Sequence, residues 1–404
     1  MPGTRPPKTC AACVPPKGDA MKIEAIKTFP FRCGWRDWIF VKVYTDEGIA
    51  GLGESGLGAY ERSVVDMVED LEEYFVGKDP RQIELHWNTV LRNSYWYPSV
   101  TLTSALAGIE MALWDILGKS LGVPVYMLLG GACHPRIKVY NNAWYLSARS
   151  LDDFAELARK AVEQGFKHLK WDPFWGYDVF VDREQRSRAR ECVRIVREAV
   201  GDDVELLIEM HGRFSPDTAI RIAHELEEFN PFWIEEPLPP NCTVDALAEV
   251  KAATRIPVAT GERVSTRWGF WELIEKQAAA IIQPDVICCG GLLEAKKVAA
   301  MAQVHYIGVA PHSASGPALA AANIHLDAGT PNFLIQEFFY PDHPAYEEIL
   351  LEHFLYPKDG FIELPTRPGL GLELNEELVR GKPFQYRRES TLSGLWAPLE
   401  SFGK

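Results

Sequence analysis

Glu209, Glu235 and Glu262 each close a short apolar run, in the strings ELLIEMHGR, FWIEEP and PVATGER, and they stand 26 and 27 residues apart. That interval holds one strand, one helix and two short loops, so the three carboxylates fall at the ends of consecutive strands, on one rim of a sheet. One acid at a strand end is ordinarily an N-cap for the next helix or a partner for a loop amide. Three at successive ends are poorly explained that way, because converging carboxylates repel unless a cation sits among them. Mg²⁺ takes oxygen ligands in octahedral geometry and keeps places for substrate oxygens, so Glu209, Glu235 and Glu262 are the candidate ligands of one magnesium ion. Glu236 neighbours Glu235 but points to the other side of the strand, which leaves Glu235 as the ligand.

Other strand ends carry further chemistry. Lys170 and Asp172 are two residues apart, as are Glu209 and His211, so each pair shares one side of its strand. The strings QPD, APHS and IQEF add Asp285, His312 and Glu337. An Asp–His pair on adjacent strands fixes an imidazole tautomer and raises its basicity, which makes Asp285–His312 a candidate general base. The plainer readings are a hydrogen-bonded core histidine, and a Lys170–Asp172 salt bridge at the rim.

The elements that must position these groups follow from periodicity. From Arg136 onward, short Val/Ile/Leu-rich runs alternate with amphipathic helical patterns: RIKVYNNAW, FKHLKWDPF, VELLIEM, FWIEEP, PVATGE, AIIQPD, VAPHS and FLIQEFF, with seven helices between them. This argues for an α/β fold, a modified TIM barrel (β/α)7β over 136–340, with an open doubly wound sheet as the alternative. The barrel is preferred because it gathers every strand end onto one face. Residues 21–135 read as an α+β capping domain: antiparallel strands joined at Asp46-Glu47-Gly48, then two helical patterns, ERSVVDMVEDLEEYFVG and SALAGIEMALWDILGKSLG. Residues 1–20 read as a flexible tail and 341–404 as a segment returning to the capping domain. Cys10 and Cys13 have the spacing of a zinc half-site, but no second half follows, so no zinc site is expected.

Composition sets the surroundings. The net charge of −14 is spread along 404 residues, so the clustered basic face of a nucleic-acid binder is missing. An anionic substrate would meet long-range repulsion that a divalent metal relieves locally. No run approaches the ~18 uninterrupted apolar residues of a membrane helix. The eight cysteines are scattered and no secretory signal is read at the N-terminus, so reduced thiols in a cytoplasm are expected, with Cys288 and Cys289 as buried thiols. The expected partner is a small-molecule acid, with neither nucleic acid nor membrane.

The set ALAGIEMALWDILGKSLGVPVYMLLGG, KWDPFW, IEMHGRFSP, WIEEPLPP, TGER, QPD, APHS and IQEF resembles the enolase superfamily in its mandelate racemase subgroup, and within it the sugar-acid dehydratases of the galactonate type. The similarity spans about residues 21 to 375. It implies that Glu209, Glu235 and Glu262 bind Mg²⁺, although many relatives place Asp at the first position. It also implies that Asp285 and His312 take the proton α to a carboxylate and that Glu337 hydrogen-bonds the developing enolate. The resemblance further implies a homo-oligomer, a dimer or an octamer.

An α-proton of a carboxylate is very weakly acidic, so its removal needs a metal and a hydrogen-bond donor for the enolate. With His211 protonating a departing β-hydroxyl, the outcome is dehydration to a 2-keto-3-deoxy acid. Racemases of the subgroup carry Lys-x-Lys on the second barrel strand, where this chain has Lys170-Trp171-Asp172. Acid in place of the second lysine disfavours two-base proton transfer. Lys170 is then expected to bind the substrate carboxylate and Asp172 to accept substrate hydroxyls. Arg36 or Trp35, in the FPFRCGWRDW loop, is expected to meet the far end of the substrate. A racemase, epimerase or cycloisomerase on the same scaffold, and a non-catalytic metabolite-binding relative, are the competing functions.

Overall fold

The computed structural model describes residues 21–33, 36–58, 60–96, 98–174, 176–339, 345–382 and 384. The 1–20 tail with Cys10 and Cys13, Trp35, and the end of the chain from 385 lie outside the described residues.

Three antiparallel strands open the fold, Ile23–Cys33 (β1), Arg36–Thr45 (β2) and Ala50–Ser55 (β3), paired in that order. Gly48, at φ +77°, turns the chain between β2 and β3. The sheet packs against the helix Val100–Leu121, which Gly122 ends in a left-handed conformation. Among the described residues this is the one helix long and apolar enough to cross a membrane, and here it is a buried core helix. The sequence reading passed over the helix Ile83–Asn93. Its buried stripe, Ile83, His86, Trp87 and Val90, contains a histidine, which hid the apolar period. His86 is buried because its ring nitrogens meet Tyr74 Oη at 3.0 Å and the Asp79 carbonyl at 2.8 Å.

Eight parallel strands follow: Arg136–Asn141 (β4), His168–Trp171 (β5), Glu205–Glu209 (β6), Trp233–Glu235 (β7), Val258–Thr260 (β8), Ile281–Ile282 (β9), Gly308–Val309 (β10) and Gln336–Phe338 (β11). Each pairs with the next from β4 to β10, and β11 pairs with β4. A parallel bridge between Val309 and Phe333, just before β11, closes the ring. The helices Leu151–Glu163, Arg183–Val200, Pro216–Leu226, Val244–Ala253, Thr266–Glu275, Leu292–Val304 and Pro317–Ala328 connect successive strands. One connection holds an extra turn, Val286–Cys289, capped by Asp285, whose Oδ1 accepts the amides of Ile287 (2.7 Å) and Cys288 (3.0 Å). A four-residue helix is too short for its period to show in sequence. The strand read at VAPHS ends three residues before His312, so that histidine lies on a loop.

Strand geometry places the site. Tyr140, Leu207, Trp233, Ala259, Ile281, Ala310 and Ile335 form one buried cluster inside the barrel. Side chains alternate along a strand, so two residues further on lies the next inward layer: Asn142, Glu209, Glu235, Gly261, Gln283, His312 and Glu337. An apolar floor thus carries a polar layer above it.

After β11 the chain adds Phe361–Glu363 (β12), antiparallel to β4, and the helix Glu376–Gly381, whose Glu376 meets Lys42 of β2 at 2.6 Å. The 345–382 segment therefore touches both the barrel and the first sheet. Two capping-domain glutamates fasten the first domain to the barrel. Glu54 accepts the amides of Gly316, Ala318 and Leu319, and Glu110 those of Leu292 (2.8 Å) and Leu293 (2.9 Å), so each carboxylate satisfies the orphan N–H groups of a barrel helix. Both positions depend on glycine. A Cβ on Gly291 would fall 2.5 Å from Glu110 Oε2, and one on Gly316 would fall 2.8 Å from Glu54 Oε1.

Candidate active site

Glu209 and Glu235 end β6 and β7, and Glu262 follows the end of β8 by two residues; each offers a carboxylate oxygen, and these atoms lie within 4.8 Å of one another. Lys170, projecting from β5, reaches across the same group: its Nζ lies 2.5 Å from Glu235, 2.8 Å from Glu337 and 3.3 Å from Glu209. Its partners are therefore the acid group, and the plainer alternative, a rim pair with Asp172, does not form. Burial opposes the lysine's charge, but Glu235, Glu337 and Glu209 outweigh it and hold the ammonium charged.

A second cation, Arg263, meets Glu262 at 3.2 Å, and the four acids Glu209, Glu235, Glu262 and Glu337 still outnumber Lys170 and Arg263. Burial, and then the charge of Glu209, push the Glu235 carboxyl well above the ordinary range. A buried group with more carboxylates than positive charges must take up a proton or a cation. The donor set, all carboxylate oxygen, suits a hard divalent ion such as Mg²⁺. Glu236 turns away, at φ +43°, and accepts Thr260 Oγ1 and the Gly261 amide, each at 2.7 Å.

Two imidazole–carboxylate pairs flank the acids. His312 Nδ1 meets Asp285 Oδ2 at 2.6 Å, while its Nε2 faces Glu262 at 3.7 Å and Glu337 at 3.8 Å. His211 Nδ1 meets Asp172 Oδ2 at 2.7 Å. Burial opposes protonation of both rings, but neighbouring carboxylates prevail and raise His312 to about 10 and His211 to about 9. The side chains of His211, His312 and Glu262 are 27 %, 19 % and 13 % exposed, against at most 3 % for Lys170, Glu209, Glu235 and Glu337. The two imidazoles therefore face the opening and the acids form the floor.

Asp172 and Glu337 have other partners here than the expected roles name. Asp172 was read as an acceptor for substrate hydroxyls, yet its oxygens already accept from His211, from Arg213 (2.7 and 3.2 Å) and from the Phe174 amide (2.7 Å). Burial is outweighed by His211 and Arg213, which lower it to about 2. Glu337 was read as a hydrogen-bond donor to the enolate. Here its Oε1 accepts from Asn142 (2.6 Å) and Lys170, and its Oε2 from the Ser313 amide (2.7 Å). Against its burial, Lys170 and His312 hold it well below the ordinary carboxylate range, which favours the accepting, ionised form.

Sequence reasoning did not single out Arg213, Asn142 or Gln283. Arg213 lies two residues past His211, the interval that joins the other pairs, and was the most readable of the three. Gln283 is buried in the polar layer with neither side-chain atom hydrogen-bonded. Arg36 starts β2, is buried, and stacks its guanidinium 3.7 Å over the ring of Phe339, two residues past Glu337.

Comparison with known proteins gives two family matches. Residues 153–378 match the enolase C-terminal domain-like family, and residues 30–130 match the mandelate racemase / muconate lactonizing enzyme N-terminal domain. The D-galactonate dehydratase of Verminephrobacter eiseniae is 36% identical over 85% of this chain and 90% of its own. The D-gluconate dehydratase of Thermoproteus tenax is 35% identical over 87% of this chain and 70% of its own. A mandelate racemase/muconate lactonizing enzyme-like protein from a Roseovarius species superposes with a TM-score of 0.84 at 37% identity, covering 90% of this chain and 96% of that one.

Proposed function

The chain belongs to the enolase superfamily, in its mandelate racemase / muconate lactonizing enzyme branch, and on that premise we propose that it is a Mg²⁺-dependent sugar-acid dehydratase. The substrate class in this reading is an aldonate, which the names of the D-galactonate and D-gluconate dehydratases it is similar to support, or an aldarate. One observation carries the reading: two imidazoles, each oriented by its own aspartate, face the mouth above the acids, while the second lysine of a two-base racemase is replaced by Asp172.

Glu209, Glu235 and Glu262 would hold the ion, which when bound supplies the positive charge that makes a carboxylate's α-proton removable. Lys170, whose ammonium here serves Glu235, Glu337 and Glu209, would turn to the substrate carboxylate once those acids hold an ion, and would donate to the oxygens that gain charge. The carboxylates that raise His312 include Glu262, so with an ion held by the acids much of that pull would be lost; His312 Nε2, with Nδ1 tied to Asp285, would then be free to take the α-proton. His211 Nε2 gives a proton to the β-hydroxyl, which leaves as water. The resulting enol takes a proton at the β-carbon and becomes the 2-keto-3-deoxy acid. The water lost carries the β-hydroxyl and the His211 proton; His312 gives its proton up and His211 is reprotonated from solvent, so the net change is the loss of one water. Glu337 orients Lys170, and Arg36 stays assigned to the far end of the substrate.

The test is a panel of aldonic and aldaric acids, D-galactonate and D-gluconate among them, incubated with Mg²⁺ and assayed for 2-keto-3-deoxy acid. Keto-acid formation from at least one member is expected. If none reacts while another carboxylate exchanges its α-hydrogen with solvent deuterium, the racemase or epimerase reading replaces this one.

A further inference from the structure

We infer that Asp172 and Arg213 are positioning residues that hold His211 as the proton donor of the water-loss half of the reaction; this rests on the dehydratase reading above. Every oxygen lone pair that Asp172 could offer a substrate is engaged. Oδ2 accepts from His211 Nδ1 and from one Arg213 terminal nitrogen, both at 2.7 Å. Oδ1 accepts from the Phe174 amide at 2.7 Å and from the other Arg213 terminal nitrogen at 3.2 Å. The Asp172 side chain is 0 % exposed, so a sugar hydroxyl has no path to it.

The direction of these bonds sets the tautomer. Arg213 forks onto both carboxylate oxygens and donates only, since a guanidinium has no acceptor. Asp172 therefore acts as an acceptor toward His211, and the ring hydrogen on that side sits on Nδ1. Any proton exchanged with substrate must then travel through Nε2, on the side that opens to the mouth. The backbone is fixed as well: His211 adopts φ +50°, costly for a residue with a Cβ, and its amide donates to Glu209 Oε1 at 2.6 Å. Ring and backbone are thus anchored separately, to Asp172 and to Glu209.

The arrangement parallels that of His312, where Asp285 accepts Nδ1. The difference is the buried arginine behind Asp172, in the place where Asp285 instead accepts the amides of a helical turn. Spacing in sequence is simple. Asp172 follows Lys170 by two, and Arg213 follows His211 by two, so neighbouring strands β5 and β6 deliver lysine with aspartate and histidine with arginine.

This division separates the two proton transfers. Removal of the α-hydrogen uses His312–Asp285 and does not pass through Asp172, whereas departure of water does. The experiment compares wild type, Asp172→Asn and Arg213→Lys on whichever acid sugar the wild type dehydrates, in D₂O with Mg²⁺. It follows α-hydrogen exchange and keto-acid formation in the same tube. For Asp172→Asn the expected result is elimination lowered about 10²–10³-fold, exchange kept within about threefold, and KM little changed. Arg213→Lys, which keeps one charged donor, should recover part of the elimination. If exchange and elimination fall together in both variants, or if neither changes, Asp172 and Arg213 do not position His211. A purely structural role would lower both rates in proportion to the folded fraction, which a urea titration of each variant measures independently. Should Asp172→Asn not fold, Arg213→Lys decides by the same ratio. A wild type that exchanges but dehydrates nothing fails on the parent reading instead, and shows it in the wild-type tube alone.

Discussion

The ammonium of Lys170 lies 2.5 Å from Oε1 of Glu235, inside the acid group that would hold the metal. Lysine and cation thus share the same carboxylates. Lys170→Met should lower stability in EDTA by roughly 3–5 kcal/mol, the usual cost of breaking a buried pair. It should also enlarge the stabilisation gained on adding Mg²⁺, because the acids lose their internal counter-charge. Urea titrations of both proteins, with and without Mg²⁺, check this. An equal or smaller metal effect in the variant contradicts the sharing.

Glu235→Gln tests the metal assignment directly. Loss of an outer partner of a metal site costs about 10–100-fold in affinity, so loss of a ligand should cost at least about 100-fold. Calorimetric titration of Mg²⁺ into each protein measures it. Unchanged affinity would falsify the ligand role.

His312→Asn should abolish both keto-acid formation and α-hydrogen exchange while retaining Mg²⁺ binding, since His312 starts the reaction. The contrast with Asp172→Asn is diagnostic, because only one of the two half-reactions should fail there. Substantial exchange in His312→Asn would mean that another base removes the proton.

His325 provides a pH signature remote from the site. It is fully buried in the helix Pro317–Ala328, with its Nδ1 accepting the Tyr126 amide at 3.2 Å, and burial lowers it from 6.5 to about 4. The unfolded chain therefore binds more protons than the fold between those values. The contribution is fully present above about pH 6.5 and is lost as pH falls toward 4, an order of ~3 kcal/mol. Relative to His325→Gln, the wild type should lose more stability on acidification through that window. Parallel losses in the two proteins count against it.

Glu110→Ala should loosen the junction between the capping domain and the barrel. It strands the Leu292 and Leu293 amides and the Trp114 indole N–H, which Glu110 accepts at 2.7 Å. Each unpaired buried donor costs about 1–3 kcal/mol. A urea midpoint lowered by several kcal/mol in equivalent stability is expected. A change under about 1 kcal/mol shows that the contact contributes nothing net.

Much of this molecule was readable in order along the chain. The eight short apolar runs and seven amphipathic patterns are local properties, because a strand's period of two and a helix's of 3.6 are written in neighbouring residues. The polar groups at strand ends were visible for the same reason: Glu209, Glu235 and Glu337 stand on the inward layer that periodicity assigns them, whereas His312 lies on the loop after its strand. The helix Ile83–Asn93 escaped because a histidine interrupts its buried face, and Val286–Cys289 because one turn is too short to show a period.

What the sequence by itself determined was therefore which residue types reach one rim of a closed sheet, and in what order. Which of them touch was decided only by the tertiary structure. Lys170 and Asp172 share one side of one strand, yet they serve different partners, Lys170 the acids of β6, β7 and β11, and Asp172 the His211–Arg213 pair beyond β6. Spacing along a strand fixes the side a residue faces. Barrel curvature and the left-handed turn at His211 fix whom it meets there, and those depend on contacts between segments far apart in the chain.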